Sequence, residues 1–259
     1  MQPKGSWTAA ILVGAATASA AVAMVLVWTG LEPSSSFTLR VPVSYPQPIA
    51  SEKNRSPTDG QLTQGDGQAA DIPGAWPQFR GPGRDNVVTA GSPLARSWPP
   101  SGPVVRWRVA VGEGYAGAAV HDGRVYIIDY DMTELADALR CLSLDDGREI
   151  WRYAYPLKVK RNHGMSRTVP AVAEGYVVSV GPKSHVLCCD ATTGEKQWMI
   201  DMVAEYDSTV PPWYAGQCPL LDGDRVILAP GATTGRGDAL LMALDGRTGE
   251  TIWQSDNPR

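Results

Sequence analysis

Leu142-Ser-Leu-Asp-Asp-Gly147-Arg-Glu-Ile-Trp151, Leu187-Cys-Cys-Asp-Ala-Thr-Thr-Gly194-Glu-Lys-Gln-Trp198 and Met242-Ala-Leu-Asp-Gly-Arg-Thr-Gly249-Glu-Thr-Ile-Trp253 are three copies of one pattern. Each is a short apolar strand, an acidic turn carrying glycine, and a tryptophan four residues after that glycine. The tryptophans follow one another at 47 and 55 residues. A period of about 40–50 residues made of strands and turns marks propeller blades. The expected fold is therefore all-β, a β-propeller of four-stranded antiparallel blades. A closed propeller takes about four to eight blades. This chain supplies about three, so the expected ring is incomplete.

Working outward from each copy resolves the other strands, giving blades at about 112–155, 164–202 and 213–255. First strands are expected at 115–120, 167–172 and 216–221, and each returns through a hairpin at Gly123, Gly175 or Gly223. Glycine supplies the positive φ such two-residue turns need. Gly147, Gly194 and Gly249 occupy the turn before the last strand. Pro170 and Pro219 fall in first strands, which line the channel, where a free edge tolerates a residue without a donor. One strand is left over. Val104–Val111 reads as a fourth strand, its Trp107 lying 44 residues before Trp151, with no three strands ahead of it.

Composition supports many short strands and tight turns: 27 glycines, 21 prolines, and nine tryptophans against two phenylalanines. A net charge of −4 gives no basic footprint for nucleic acid. Residues 9–30 form an uncharged run long enough to cross a bilayer. Lys4 ahead of it and Glu32 behind it put residues 1–8 in the cytoplasm and the rest outside. The expected location is thus a bacterial inner membrane, with the C-terminal domain in the periplasm. The competing reading is a signal peptide cleaved after Ala18-Ser-Ala20, against which the apolar run continues to Trp28. Residues 31–75 are rich in Ser, Pro, Gln and Thr and are expected to be a disordered tether. The folded part is expected over 76–259.

The opening Trp76-Pro-Gln-Phe-Arg-Gly-Pro, the Gly112-Glu-Gly-Tyr115 stretch and the Leu-Asp-x-x-Thr-Gly-x-x-x-Trp blade ends resemble the pyrroloquinoline-quinone-like β-propeller repeat proteins. That family includes the outer-membrane assembly factor B lipoprotein. The resemblance covers about 180 residues and implies the fold; most members bind no quinone, so the fold is not the function. It implies two classes of activity. One is protein binding or scaffolding without a cofactor, with a protein partner or further blades supplied by another chain. The other is a quinoprotein-type alcohol or sugar dehydrogenase using pyrroloquinoline quinone and calcium. A truncated reading frame is the third alternative.

A dehydrogenase of this kind needs a carboxylate base and calcium ligands, and in some members a disulfide between adjacent cysteines. Here Cys189 falls at the repeat position of Leu144 and Leu244, and Cys188 at that of Ser143 and Ala243. Successive strand residues face opposite sides, so two buried free thiols are expected. Asp129-Tyr-Asp131-Met-Thr133-Glu134 lacks the glycine and distal glutamate of a calcium loop and reads as an acidic connection. His121, His163 and His185 show no metal-ligand spacing. No catalytic residue and no metal site is expected. The candidate binding surface is the set of loops entering the first strands, with Tyr115, His163, Arg167, Trp213 and Tyr214 converging at one rim; aromatic and arginine side chains are common binding anchors.

Overall fold

In the computed structural model, residues 6–30, 43–44, 59–88, 95–161, 164–173, 175–230 and 239–256 are described. Two compact units are present, Met1–Val41 and Pro42–Arg259. In the first, α1 (Ser6–Gly30) contains an 18-residue stretch, Ile11–Trp28, of mean hydropathy 2.2. Its 25 residues span about 37 Å at 1.5 Å per residue, more than a bilayer's apolar core. Thr17 returns its hydroxyl to the Val13 and Gly14 carbonyls, so the run exposes little polarity.

In the second unit the repeats form three antiparallel sheets. After two short strands, β1 (Val43–Ser44) and β2 (Gln61–Gln64), blade 1 comprises β3 (Ala119–His121), β4 (Arg124–Asp131), β5 (Ala136–Ser143) and β6 (Glu149–Pro156). Blade 2 comprises β7 (Ala171–Ala173), β8 (Tyr176–Val180), β9 (His185–Asp190) and β10 (Lys196–Asp201), followed by a one-turn α2 (Met202–Tyr206). Blade 3 comprises β11 (Leu220–Asp222), β12 (Arg225–Leu228), β13 (Ala239–Asp245) and β14 (Thr251–Asp256). Each is a simple meander in chain order. The β3–β4 turn shows why the sequence folds back there: Asp122 and Gly123 both have positive φ, 48° and 65°, the requirement of a two-residue turn that follows strand twist.

Because strand residues alternate faces, blade 2 contributes to two cores. Tyr126, Leu139, Cys141 and Trp151 of blade 1 pack with Val172, Val177, Leu187 and Cys189 of blade 2. Val178, Val180, Val186 and Cys188 of blade 2 pack with Val226, Leu228, Met242 and Leu244 of blade 3. Cys188 and Cys189 thus face different neighbours, and both are free and buried.

The repeated tryptophan locks one blade to the next. Trp151 donates Nε1–H to the Ala191 carbonyl at 3.2 Å, and Trp198 donates to Gly246 at 2.9 Å. In each case the acceptor lies three residues before the turn glycine of the following blade. A Cβ on Gly194 would lie 2.6 Å from the Trp151 ring, and one on Gly249 would lie 2.8 Å from Trp198. The glycine and tryptophan that are four residues apart in sequence therefore belong to different joints.

Three expectations are corrected. Val104–Val111 is not a strand: no described strand pairs with it, and Val104 is 85% exposed. Its Trp107 nevertheless occupies the joint of blade 1, donating to the Leu144 carbonyl at 3.0 Å and stacking over Gly147. The first strands are three residues long, with Pro170 and Pro219 immediately before β7 and β11, because a residue without N–H cannot join the ladder. The tether expected over 31–75 is partly sheet: β2 pairs with β6, and β1 pairs with β14. Gly65, Gly67 and Ala70 continue along blade 1, donating to Ile150, Glu149 and Gly123. Polar composition hid this because an added edge strand needs backbone hydrogen bonds rather than an apolar face.

Candidate functional site

The three inner strands present equivalent middle residues, Val120, Val172 and Leu221. Each sits opposite a valine one step from the hairpin's closing pair. Alternation of the antiparallel ladder turns the peptide groups of such a residue away from its partner strand, toward the inside of the stack. The segment Trp76–Arg84 meets all three. Trp76 exchanges two backbone hydrogen bonds with Val120, at 2.8 and 2.9 Å; Val172 N donates to the Pro77 carbonyl at 2.8 Å; Arg84 Nη2 donates to the Leu221 carbonyl. The opening motif is an inner strap across the blades.

Beyond Pro77 the strap folds into successive tight turns, with Gly81 N bonded to the Gln78 carbonyl and Arg84 N to the Gly81 carbonyl. Arg80 and Arg84 take left-handed φ values of 68° and 59°, costing roughly 1 kcal/mol each for a residue with Cβ. Gly81 is left-handed too, and a Cβ there would lie 2.7 Å from the Trp76 ring. This backbone holds Gln78, Phe79, Arg80 and Arg84 along one side of a cavity of about 630 Å³. The other walls are Tyr115 and Gly117 before β3, Arg167 and Val169 before β7, and Gly216 and Cys218–Leu220 at β11.

Among the described residues, three arginines line this cavity and no Asp or Glu does. Asp85, next to Arg84, turns its carboxylate to the Val87 amide. Arg167 lies 5.8 Å from the centre of the Tyr115 ring, a cation–π contact, and donates Nε–H to the Gly164 carbonyl. Tyr115 is 73% exposed and Phe79 56%. Gln78 is only 8% exposed, and its Oε1 has no hydrogen-bond partner among the described residues.

Of the five residues expected at a common rim, Tyr115 and Arg167 share this cavity. Their loops are joined by a Tyr115 N to Ser166 O bond of 2.6 Å. Tyr214 is drawn elsewhere: its hydroxyl donates to the Lys160 carbonyl, tying blades together. Trp213 is 54% exposed and does not line the cavity. His163 lies outside the described residues. Sequence reasoning missed Phe79, Arg80 and Arg84. Their signal was two arginines spaced by glycines in a motif ahead of the first blade, whose position relative to the blades only the stacked structure supplies.

A second polar cluster joins blades 1 and 2. Tyr155 donates to Asp137 Oδ2 at 2.6 Å, and the Tyr155 and His185 rings lie 5.7 Å apart. Burial pushes the Asp137 carboxyl up to about 7, only partly offset by the Tyr155 hydrogen bond. Burial lowers the His185 imidazole against the opposing pull of Asp201, 3.7 Å away. The acidic connection after β4 is structural: Asp131 accepts from the Thr133 and Glu134 amides, and Asp129 is held by Arg140 at 2.8 Å. Among the described residues no group of three His, Cys, Asp or Glu could hold a metal ion.

Residues 135–259 match the family model described as outer membrane protein assembly factor BamB. These residues carry PQQ-like repeats similar to that family. It is 25% identical over 117 residues to the quinoprotein alcohol dehydrogenase PedH of Pseudomonas putida, covering 45% of this chain and 18% of PedH. Among solved structures it is similar to BamB from Moraxella catarrhalis, with 17% identity, 58% and 39% coverage and a TM-score of 0.39. It is likewise similar to quinohemoprotein alcohol dehydrogenase from Comamonas testosteroni, with 19% identity, 56% and 21% coverage and a TM-score of 0.42. The PQQ-like repeats here span less than half the length of each of these relatives.

The quinoprotein-type dehydrogenase that the sequence resemblance offered as an alternative would call for a carboxylate base and, for calcium, hard oxygen ligands. Among the described residues the cavity lining offers guanidinium groups and no carboxylate. The adjacent cysteines are separate core thiols, well away from its lining.

Proposed function

We propose that the PQQ-like repeats form a non-catalytic protein-binding module, held on the outer side of a bacterial inner membrane by α1. The observation that carries this reading is the cavity lining. Arg80, Arg84 and Arg167 stand beside exposed Phe79 and Tyr115, with no carboxylate among the described lining residues to serve as base or metal ligand. Arginine and aromatic side chains are the groups most used as binding anchors. Lys4 before the apolar run supports a cytoplasmic N-terminus and an exported C-terminal unit.

The outer strand edges offer a partner little backbone to pair with. β6 and β14 are each covered by a further strand, leaving β10 as the outer edge without a strand partner among the described residues. Capture is therefore assigned to the inner face. The test pairs two measurements on the full chain in detergent. Pyrroloquinoline quinone with calcium is expected to give no dye-linked oxidation of alcohols or sugars and no rise in melting temperature. A photo-crosslinking residue at Tyr115 is expected to yield a discrete protein adduct in cells. Quinone-dependent oxidation, or an absence of adducts, overturns the reading.

A further inference from the structure

We propose that the inner cavity is a carboxylate-binding site that takes an acidic peptide segment, engaged by the Arg80, Arg84 and Arg167 guanidiniums. This names the ligand chemistry of the binding module proposed above and rests on that reading. The chain carries 27 acidic against 23 basic residues, yet the described residues of the lining include three arginines and no acid. Local charge is thus opposite in sign to the whole. A positive concave surface on an anionic chain draws in anions selectively and repels little of what it needs to bind.

The site is built rather than incidental. Two of its arginines sit on left-handed backbone that glycine would adopt without cost. Strain kept in a defined loop is characteristic of functional sites. Arg84 spends one N–H on the Leu221 carbonyl, which leaves its guanidinium with further donors out of its five, and Arg167 is fixed at the lining by its bond to the Gly164 carbonyl and its place over the Tyr115 ring. The guanidinium fork matches a carboxylate in two parallel hydrogen bonds. Gln78, 92% buried by its 8% exposure, adds an Oε1 with no partner among the described residues. It suits an N–H of a peptide backbone, a donor that a simple inorganic anion lacks. Phe79 and Tyr115 give apolar faces to side chains between the carboxylates. A volume of about 630 Å³ holds a few residues and lies within the range of ordinary ligand pockets.

Binding is measured by fluorescence anisotropy with the full chain in detergent. The probes are a labelled peptide alternating Glu with Phe, the same peptide with Gln for Glu, and labelled heparin. The acidic peptide is expected to bind, with affinity falling as salt rises, and the Gln peptide at least about tenfold more weakly, the loss of a charge-assisted hydrogen bond. Arg80→Gln is expected to weaken the acidic peptide by about tenfold without altering the melting temperature, since the Arg80 side chain makes no hydrogen bond or ion pair with a described residue. Arg167→Gln is expected to lose more, and Arg167→Lys to restore part. Equal binding of the two peptides, or unchanged affinity in both Gln variants, overturns the site. Tight heparin binding without acidic-peptide binding overturns the peptide assignment. Either failure, with quinone-dependent oxidation still absent, leaves the non-catalytic reading standing, so the two are separable.

Discussion

Gly194→Ala puts a methyl group where the fold leaves no room, and the energy of that collision identifies which tryptophan Gly194 serves. The added Cβ would lie 2.6 Å from the Trp151 ring, in a residue held at φ 78°. Forcing alanine into left-handed backbone costs roughly 1 kcal/mol, and overpacking a rigid indole adds about 2 kcal/mol, for a total near 3. Trp151 itself is fully buried and hydrogen-bonded to Ala191, so Trp151→Ala should cost about 4 kcal/mol. With the indole gone, Gly194→Ala should retain its backbone cost and a contact with the end of the flexible Leu62 side chain, 2.8 Å from the added Cβ, giving a coupling of up to about 2 kcal/mol in the double variant. Trp198, four residues after Gly194 in the motif, packs instead over Gly249, and Trp198→Ala should couple with Gly194→Ala by less than about 0.5 kcal/mol. Urea unfolding of the full chain in detergent, followed by far-ultraviolet circular dichroism, gives each stability. Coupling to Trp198 equal to or larger than that to Trp151 would falsify the staggered joint.

The Asp137 carboxyl holds its proton up to about 7 in the folded protein, while the unfolded chain releases it near 4. The folded state thus binds more protons across that window, and this group's stabilising contribution is complete below pH 4 and lost as pH rises through 7. His185, lowered by burial, acts with the opposite sign, so the check is the difference between the native chain and Asp137→Asn, which should lose the downward slope. Native thiol titration should find Cys141, Cys188 and Cys189 unreactive, because burial raises all three, with four thiols counted in urea; a Cys188–Cys189 disulfide in the purified protein would contradict the β9 geometry. Hydrogen exchange should be slow at the Gly65, Gly67 and Ala70 amides, each bonded to blade 1. Exchange there at the rate of an unstructured chain would restore the simple tether.

The blades were legible because strand period, hairpin glycines and buried apolar alternation are local properties. The same reasoning placed Cys188 and Cys189 in the core, since their repeat partners are Ser143, Leu144, Ala243 and Leu244. The purpose of the tryptophan was not legible. Trp151 and Gly194 are 43 positions apart, whereas the eye pairs each glycine with the tryptophan of its own copy. The edge strand β2 escaped for a different reason: Gln61, Thr63 and Gln64 are exposed and offer only backbone to the sheet. The site was half visible. Tyr115 and Arg167 hold equivalent positions in successive repeats and could be superposed, but Arg80 and Arg84 lie before the repeats and have no counterpart to align with.

The inner strap also bears on when the protein becomes competent. Its contacts join Trp76 to Val120, Pro77 to Val172 and Arg84 to Leu221, the last across 137 residues of chain. Closing loops of that length is entropically expensive and comes late. The cavity is not complete until the third blade has docked, because Gly216 and Cys218–Leu220 supply one of its walls. Ligand capture is therefore a certificate of finished assembly: a chain stalled with two blades stacked would retain most of its secondary structure and hold nothing.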